Sequence, residues 1–419
     1  MNDNHSALES QYRHRWAAAS LRKMAGESPI VVLTGARQVG KSTLLLNERP
    51  FSGWRYISLD DFDALKQAQV DPEALLAGRQ SLIVDEVQRA PGVLNAVKIA
   101  VDRGPTGRRF ALSGSANLML MSKVTESLAG RALSITLEPM TLGEQHGARS
   151  PTVLARLLQA RPPKEGAAEV IDPFPLMQRG FMPPLLTRSG EDSFVRWWEG
   201  YVTTYLERDL RQLSQVESLP DFRRVMVALA LRTGQLVNQT SIARDTGVSQ
   251  PTVHRYLNLL ETSCLLVRVP AIAPSRTKRI VKSPKIYWFD PGIATFLAGH
   301  FTSDDLRTAR EAGGIFECLV LLHLNAMAQL MTPRPGIFYW RTTTGREVDF
   351  VVEQGQKILP IEVKLTTKPR YRDVHNLRGF LDEYTNATLG VLVHCGSDVT
   401  LLDKDIIALP WTLLAGLRS

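Results

Sequence analysis

Residues 35–43, GARQVGKST, carry the spacing G-x-x-x-x-G-K-[ST] between an apolar run, IVVLT, and a helical pattern. Phosphate chemistry needs these types in this order. Gly35 and Gly40 let backbone amides curl around phosphate oxygens, and a helix starting at Lys41 adds the partial positive charge of its N-terminus. The Lys41 ammonium then reaches the β- and γ-phosphates, and the Ser42 hydroxyl, next to Thr43, ligates Mg²⁺. Downstream, SLIVDEVQ ends a buried strand in Asp85 and Glu86. Asp85 is placed to hold the magnesium water shell and Glu86 to polarise a water for in-line attack. RFALSGSAN offers Ser113, Ser115 and Asn117 at another strand end, where a polar group could sense the γ-phosphate; spacing does not choose among them. Arg37 and Arg131 are the candidate charge stabilisers. The cofactors expected are ATP and Mg²⁺.

A second set of chemically capable residues lies in GREVDFVVEQGQKILPIEVKLTT, residues 345–367, where Asp349 and Glu362 sit among apolar neighbours. EVDFVV and ILPIEVK read as the two strands of a hairpin turning at Glu353, Gln354, Gly355 and Gln356. Pairing Val352 with Lys357 sets Asp349 opposite Pro360, and alternation then brings Glu362 and Lys364 to the same face. Two carboxylates and an ammonium would share one spot. Glu347 lies on that face too and is an alternative ligand. A helix pattern just upstream, GIFECLVLLHL, carries Glu317.

The elements that position these groups follow from periodicity. The N-terminal part alternates strand and helix patterns, as in an α/β fold with a mainly parallel sheet. Proline- and glycine-rich stretches, RPPKEGAAEVIDPFP and RGFMPP, read as a connector or lid. Residues 240–261, TSIARDTGVSQPTVHRYLNLLE, have helix-turn-helix spacing. Ala243 and Gly247 serve the close approach and turn, Val253, Leu257 and Leu260 form the buried stripe, and Gln250, Thr252, His254, Arg255 and Asn258 are left outward. Two strands follow, CLLVRV and KIYWF. The segment between them carries Arg276, Lys278, Arg279 and Lys282 without an acid, the composition of a wing on a phosphate backbone. A winged helix that only packs against protein is the alternative. The last part reads as a helix, three strands, a helix and a strand.

The 419 residues suffice for about three domains. Of a net charge of +8, most lies between Arg196 and Asp290, where 14 basic residues face 8 acidic ones. That points to a polyanionic partner, DNA. Three widely spaced cysteines within apolar runs argue for reduced, buried thiols and against a disulfide frame or zinc cluster. Neither a signal core nor a membrane span is evident, so a soluble, cytoplasmic protein without a membrane partner is expected.

GARQVGKSTLL, LIVDEVQRAP, ALSGSANLML, SLAGRALSITLEPMTLGE, RGFMPP, YLERDL and the closing WR…GREVDF…PIEVK together resemble the bacterial and archaeal AAA+-like ATPases that carry an uncharacterised C-terminal domain. The resemblance implies an α/β P-loop ATPase sheet at 30–145 after a helical segment at 1–29, a connector at 146–190, a helical winged-helix region at 191–300 and a nuclease-like α/β domain at 301–419. It also implies subunits that complete one another's sites in a homo-oligomer. In chain order, Glu317, Asp349, Glu362 and Lys364 resemble the PD-(D/E)xK nuclease fold. There the carboxylates, Asp349 and Glu362 foremost, hold Mg²⁺ or Mn²⁺ and the lysine activates the attacking water or steadies developing charge. Val348 stands where that pattern often has proline. The functions implied are an ATP-hydrolysing protein acting on DNA, or a nucleotide-dependent switch recruiting proteins through an inactive nuclease-like domain.

Overall fold

The computed structural model describes residues 12–417 apart from 79, 104–106, 116–127, 164–165, 205–215 and 273–282. The chain divides into two compact units: Met1–Glu138 with Thr262–Cys264, and Pro139–Glu261 with Leu265–Ser419.

The first unit is built on five short apolar runs, β1 (Ile30–Thr34), β2 (Arg55–Ser58), β3 (Leu82–Asp85), β4 (Phe110–Ser113) and β5 (Ala132–Thr136), joined in the parallel order β2-β3-β4-β1-β5. Every residue of β1, β3 and β4 is buried, as expected for interior strands covered on both faces, whereas the edge strands β2 and β5 expose part of theirs. All five strands point the same way, so the residues following β1, β3 and β4 converge at one end of the sheet, where open α/β sheets place their ligands.

The second unit is a mixed sheet in the order β6-β13-β14-β12-β11-β10-β9, comprising β6 (Gly166–Ala167), β9 (Gly336–Arg341), β10 (Glu347–Gln354), β11 (Lys357–Val363), β12 (Gly390–His394), β13 (Asp398–Asp403) and β14 (Ile406–Pro410). Its seven strands exceed the four read from the sequence, because β13 and β14 form a further hairpin and β6 comes from the presumed connector. The connector is structured: Pro173 stands at the start of the helix Pro173–Arg179, capped by Asp172, and so begins regular structure where the proline content had suggested a break. Just before the connector, the chain meets the helix Ala312–Ala328 at a neutral histidine. Leu142 N–H donates to His323 Nε2, its Nδ1 pairs with the Leu319 carbonyl, and burial pulls this imidazole down to about 4.

The helix-turn-helix is present as Gln239–Thr246 and Gln250–Thr262, with Gly247 in the left-handed region between them and Val253, Tyr256, Leu257 and Leu260 buried. Two strands, β7 (Leu266–Val269) and β8 (Lys285–Trp288), pair antiparallel behind it. Arg276, Lys278, Arg279, Lys282 and Asn117 lie outside the described residues. This hairpin is part of the same body as the C-terminal sheet. Ala271 bridges Tyr339 of β9, with Tyr339 N–H donating to Pro270 and Ile272 N–H to Tyr339, while Lys285 bridges Leu236. The close approach is enforced by glycine: a Cβ on Gly314 would lie 2.1 Å from the Thr233 carbonyl oxygen, and one on Gly234 3.2 Å from Glu317 Oε2.

Candidate functional site

Around the phosphate loop the backbone takes conformations few residues tolerate. Gly35 has φ 146° and a Cβ there would stand 2.5 Å from the Leu137 carbonyl oxygen; Gly40, at φ 95°, precedes the helix Lys41–Asn47. Lys41 is 5% exposed, and its Nζ donates to the carbonyls of Gly35 at 3.1 Å and Ala36 at 2.9 Å. Burial lowers its pKa against the opposing pull of Glu86 and Asp85. β4 lies between β1 and β3, which sets Ser113 beside Asp85. Asp85 accepts from Ser42 Oγ at 2.5 Å, from Tyr56 at 2.7 Å and from Ser113. Burial would push this carboxyl up, yet the hydrogen bonds from Ser113, Ser42 and Tyr56 outweigh it and hold it below its ordinary value. Such a hydroxyl and carboxylate pair is the hard, all-oxygen donor set that Mg²⁺ takes beside substrate phosphates.

Glu86 follows with φ 54°, a left-handed conformation costing a non-glycine residue about 1–2 kcal/mol. Burial raises its pKa against the pull of Lys41, and Gln88 donates to it and, at 3.0 Å, to Ser115 Oγ. Arg37 and Thr43 are exposed on the loop and its helix. Arg131 is misplaced for the role expected of it. It precedes β5 at the end aligned with Ile30, four residues of strand from Thr34, and is paired bidentately with Asp102 at 2.7 and 3.0 Å. It does not reach this chain's own loop. Tyr56 and Gln88 were not singled out from the sequence, where a tyrosine in an edge strand and a glutamine in a turn carry no signal. Cys264, in the same unit, is the half-buried exception among the three thiols; burial pushes it up to about 12.

The C-terminal acids do assemble, with a different register and a different partner. Gln354 pairs with Lys357 around Gly355 and Gln356, and Phe350 with Ile361, a shift of two residues from the expected pairing. A two-residue slip keeps every side chain on its face, so the convergence survives, and Asp349 comes level with Glu362 rather than Pro360. The tighter turn wins because Gly355 adopts φ 64°. A bulge against β9 between Val348 and Val351 re-aims Asp349, whose Oδ2 accepts from Val363 N–H at 2.9 Å. At the centre stands Lys285 of β8, 1% exposed, with Nζ 2.6 Å from Glu347 Oε1, 3.2 Å from Asp349 Oδ1 and 3.3 Å from Glu317 Oε2. Tyr287 donates to the same Glu317 oxygen at 2.7 Å. Glu362 pairs instead with Lys364, 2.7 Å away, through Oε1, and its buried Oε2 has no hydrogen-bond partner among the described residues. Burial and the nearby Asp349 charge push both Glu317 and Glu362 up to about 8. Among the described residues no three His, Cys, Asp or Glu side chains are arranged to hold a metal ion. With the Lys285 ammonium standing where a metal would have to sit, the donors expected for Mg²⁺ or Mn²⁺ here do not fit one as they are arranged.

On the helix-turn-helix, His254 and Arg255 are exposed. Arg255 is 3.2 Å from Glu217 and packs over the Tyr256 ring.

Sequence comparisons extend these findings. The family described as AAA domain matches residues 27–146, and two domains of unknown function, DUF8612 and DUF4143, match 174–304 and 312–414. Uncharacterized proteins of Mycobacterium tuberculosis and Mycobacterium bovis are each 33% identical over 399 residues, 94% of this chain and 83% of theirs. The chain belongs to the same family as these two proteins and itself carries the AAA domain at residues 27–146. An uncharacterized protein of Haemophilus influenzae is 20% identical over 85% of this chain and 87% of its own. Among solved structures, a Walker-type ATPase of Pyrococcus abyssi aligns with TM-score 0.44 and 18% identity, covering 69% of this chain and 97% of that one. In this AAA-domain protein no helix among the described residues is long and apolar enough to cross a membrane.

The raised carboxyls make a stability prediction. A folded-state pKa near 8 against an ordinary value near 4.5 gives stability that is fully present below the latter and lost as pH rises through the former. Thermal unfolding followed from pH 6 to pH 9 should show the melting temperature falling from pH 6 to about pH 8 and levelling off above it. The fall should be shallower in Glu362→Gln, which cannot ionise. An equal fall in both proteins would assign it elsewhere.

Proposed function

We propose that this AAA-domain protein binds Mg²⁺-ATP and hydrolyses it at the loop of the first unit. The observation that carries the proposal is the convergence of Lys41, Ser42, Asp85 and Glu86 at one end of the parallel sheet, with Ser42 Oγ 2.5 Å from Asp85. Mg²⁺ neutralises the phosphate charge when bound. The protein's part is to hold the phosphates with loop amides and Lys41, to present Ser42 and Asp85 as oxygen donors, and to hold Glu86 where it takes a proton from the attacking water. Lys41→Ala should abolish nucleotide binding, whereas Glu86→Gln should bind ATP as the parent does and lose turnover by about 10²-fold or more. Parental turnover in Glu86→Gln would overturn the role given to that residue. Homo-oligomer formation belongs to the same reading, because in the AAA+-like ATPases that the chain resembles neighbouring subunits complete one another's sites. Light scattering that finds only monomer with ATP bound would remove it.

DNA is the partner proposed for the second unit, supported by the exposed His254 and Arg255 on the second helix of the helix-turn-helix and by the basic segment 276–282. Replacing Arg276, Lys278, Arg279 and Lys282 with alanine should weaken duplex binding across sequences and flatten its salt dependence, since each lost phosphate contact releases fewer counterions. An unchanged slope favours a winged helix that only packs against protein. The filling of the C-terminal carboxylate cluster by Lys285 favours the reading in which the nuclease-like sheet binds its partner and does not cut it.

A further inference from the structure

The C-terminal cluster draws Glu317 from a helix, Glu347 and Asp349 from β10 and Glu362 from β11 to one buried place. In a catalytic setting four acids so gathered would require a multivalent cation. Here a monovalent one, the ammonium of Lys285, stands at the point where oxygens of three of them meet.

We propose that Lys285 is the resident cation of this cluster and excludes divalent metal from it, so that the site is metal-free for as long as β8 is seated. Two cations cannot share the position. An ammonium at 2.6–3.3 Å from three carboxylates occupies the space in which a metal would take oxygens at about 2.1 Å, and each would repel the other strongly in a buried setting. Lys285 also has little freedom to withdraw. Its backbone is paired on one side with Val269 and bridged on the other to Leu236, and its side chain is 2% exposed. Tyr287, two residues along the same strand, fixes Glu317 by a hydrogen bond, so β8 supplies both the cation and a clamp on one of its ligands. The unpartnered Oε2 of Glu362 is a remaining acceptor that a metal would satisfy and that Lys285 does not reach. Removing the lysine side chain therefore uncovers a set of oxygens with both charge and unused acceptors. This inference is independent of ATP hydrolysis at the other unit.

The test is a Mn²⁺ titration of the full chain without nucleotide, with free Mn²⁺ read by electron paramagnetic resonance. The parental protein should show no Mn²⁺ site that Asp349→Ala removes. Lys285→Ala should gain one, at least about 10-fold tighter than any parental binding, and Lys285→Ala combined with Asp349→Ala should lose it again. Lys285→Asn, too short to reach the three acids, gives a second variant. Either variant, if destabilised, should show a melting temperature that rises with Mn²⁺ while the parental one does not move. An Asp349-dependent Mn²⁺ site in the parental protein overturns the proposal, as does failure of both variants to gain one. If neither variant folds, the parental titration alone decides.

Discussion

The second unit is organised around one constraint: a lysine ammonium taken almost wholly out of water must be matched by carboxylates, and the three carboxylates come from two separate elements, the helix Ala312–Ala328 and β10. Burial alone would drive Lys285 toward its neutral form, but Glu317, Asp349 and Glu347 outweigh it and hold the group charged, above the ordinary lysine range. An arrangement of this kind adds little net stability compared with apolar packing of the same volume, yet removing one partner costs about 3–5 kcal/mol, a large part of the 5–15 kcal/mol that keeps a domain folded. Position is what it specifies. β8, β10 and the helix Ala312–Ala328 have to meet within hydrogen-bond distances of one atom, and the glycine contact of Gly314 with Thr233 and the bulge before Val351 are the backbone adjustments that permit it.

The phosphate loop meets a related electrostatic demand by different means. Lys41 is as buried as Lys285 but rests on backbone carbonyls, and its pKa falls where that of Lys285 rises. Asp85 is kept ionised by three hydroxyl donors with no direct ammonium contact, which leaves it able to accept a metal hydration shell. One lysine is thus poised for a ligand, while the other already has all its partners within the protein. That contrast separates the proposed ATP-hydrolysing centre from a cluster whose residues look catalytic in sequence and, Glu362 Oε2 apart, are partnered within the fold.

What could be read from the sequence follows the distance over which the information is spread. The phosphate loop was legible because glycines, lysine and serine lie within nine residues between a strand and a helix, and the helix-turn-helix because Gly247 and the Val253, Leu257 and Leu260 stripe are local. The carboxylate face was legible through strand alternation even though the register was off by two, since a shift of two preserves faces. Arg131 was misread because composition does not say at which end of a strand a residue stands. Lys285 was missed for a different reason: its partners are 32 to 64 residues away, and a lysine opening the apolar run KIYWF reads as a solvated strand end. The available signal was the pairing of two anomalies, acids within one apolar strand and a base at the head of another.

The arrangement of the second unit depends on Lys285 being a charged, sequestered ammonium at neutral pH. It is tested most directly by proton–nitrogen correlation spectra of the lysine side chains in the nucleotide-free full chain, across pH 6 to pH 10. An ammonium resonance should remain visible where exposed lysines have broadened through fast exchange, keep its charged-state shift to the top of the range and be absent from Lys285→Asn. A Lys285 signal that exchanges as fast as the exposed ones, or that titrates to the neutral amine within this range, would contradict it.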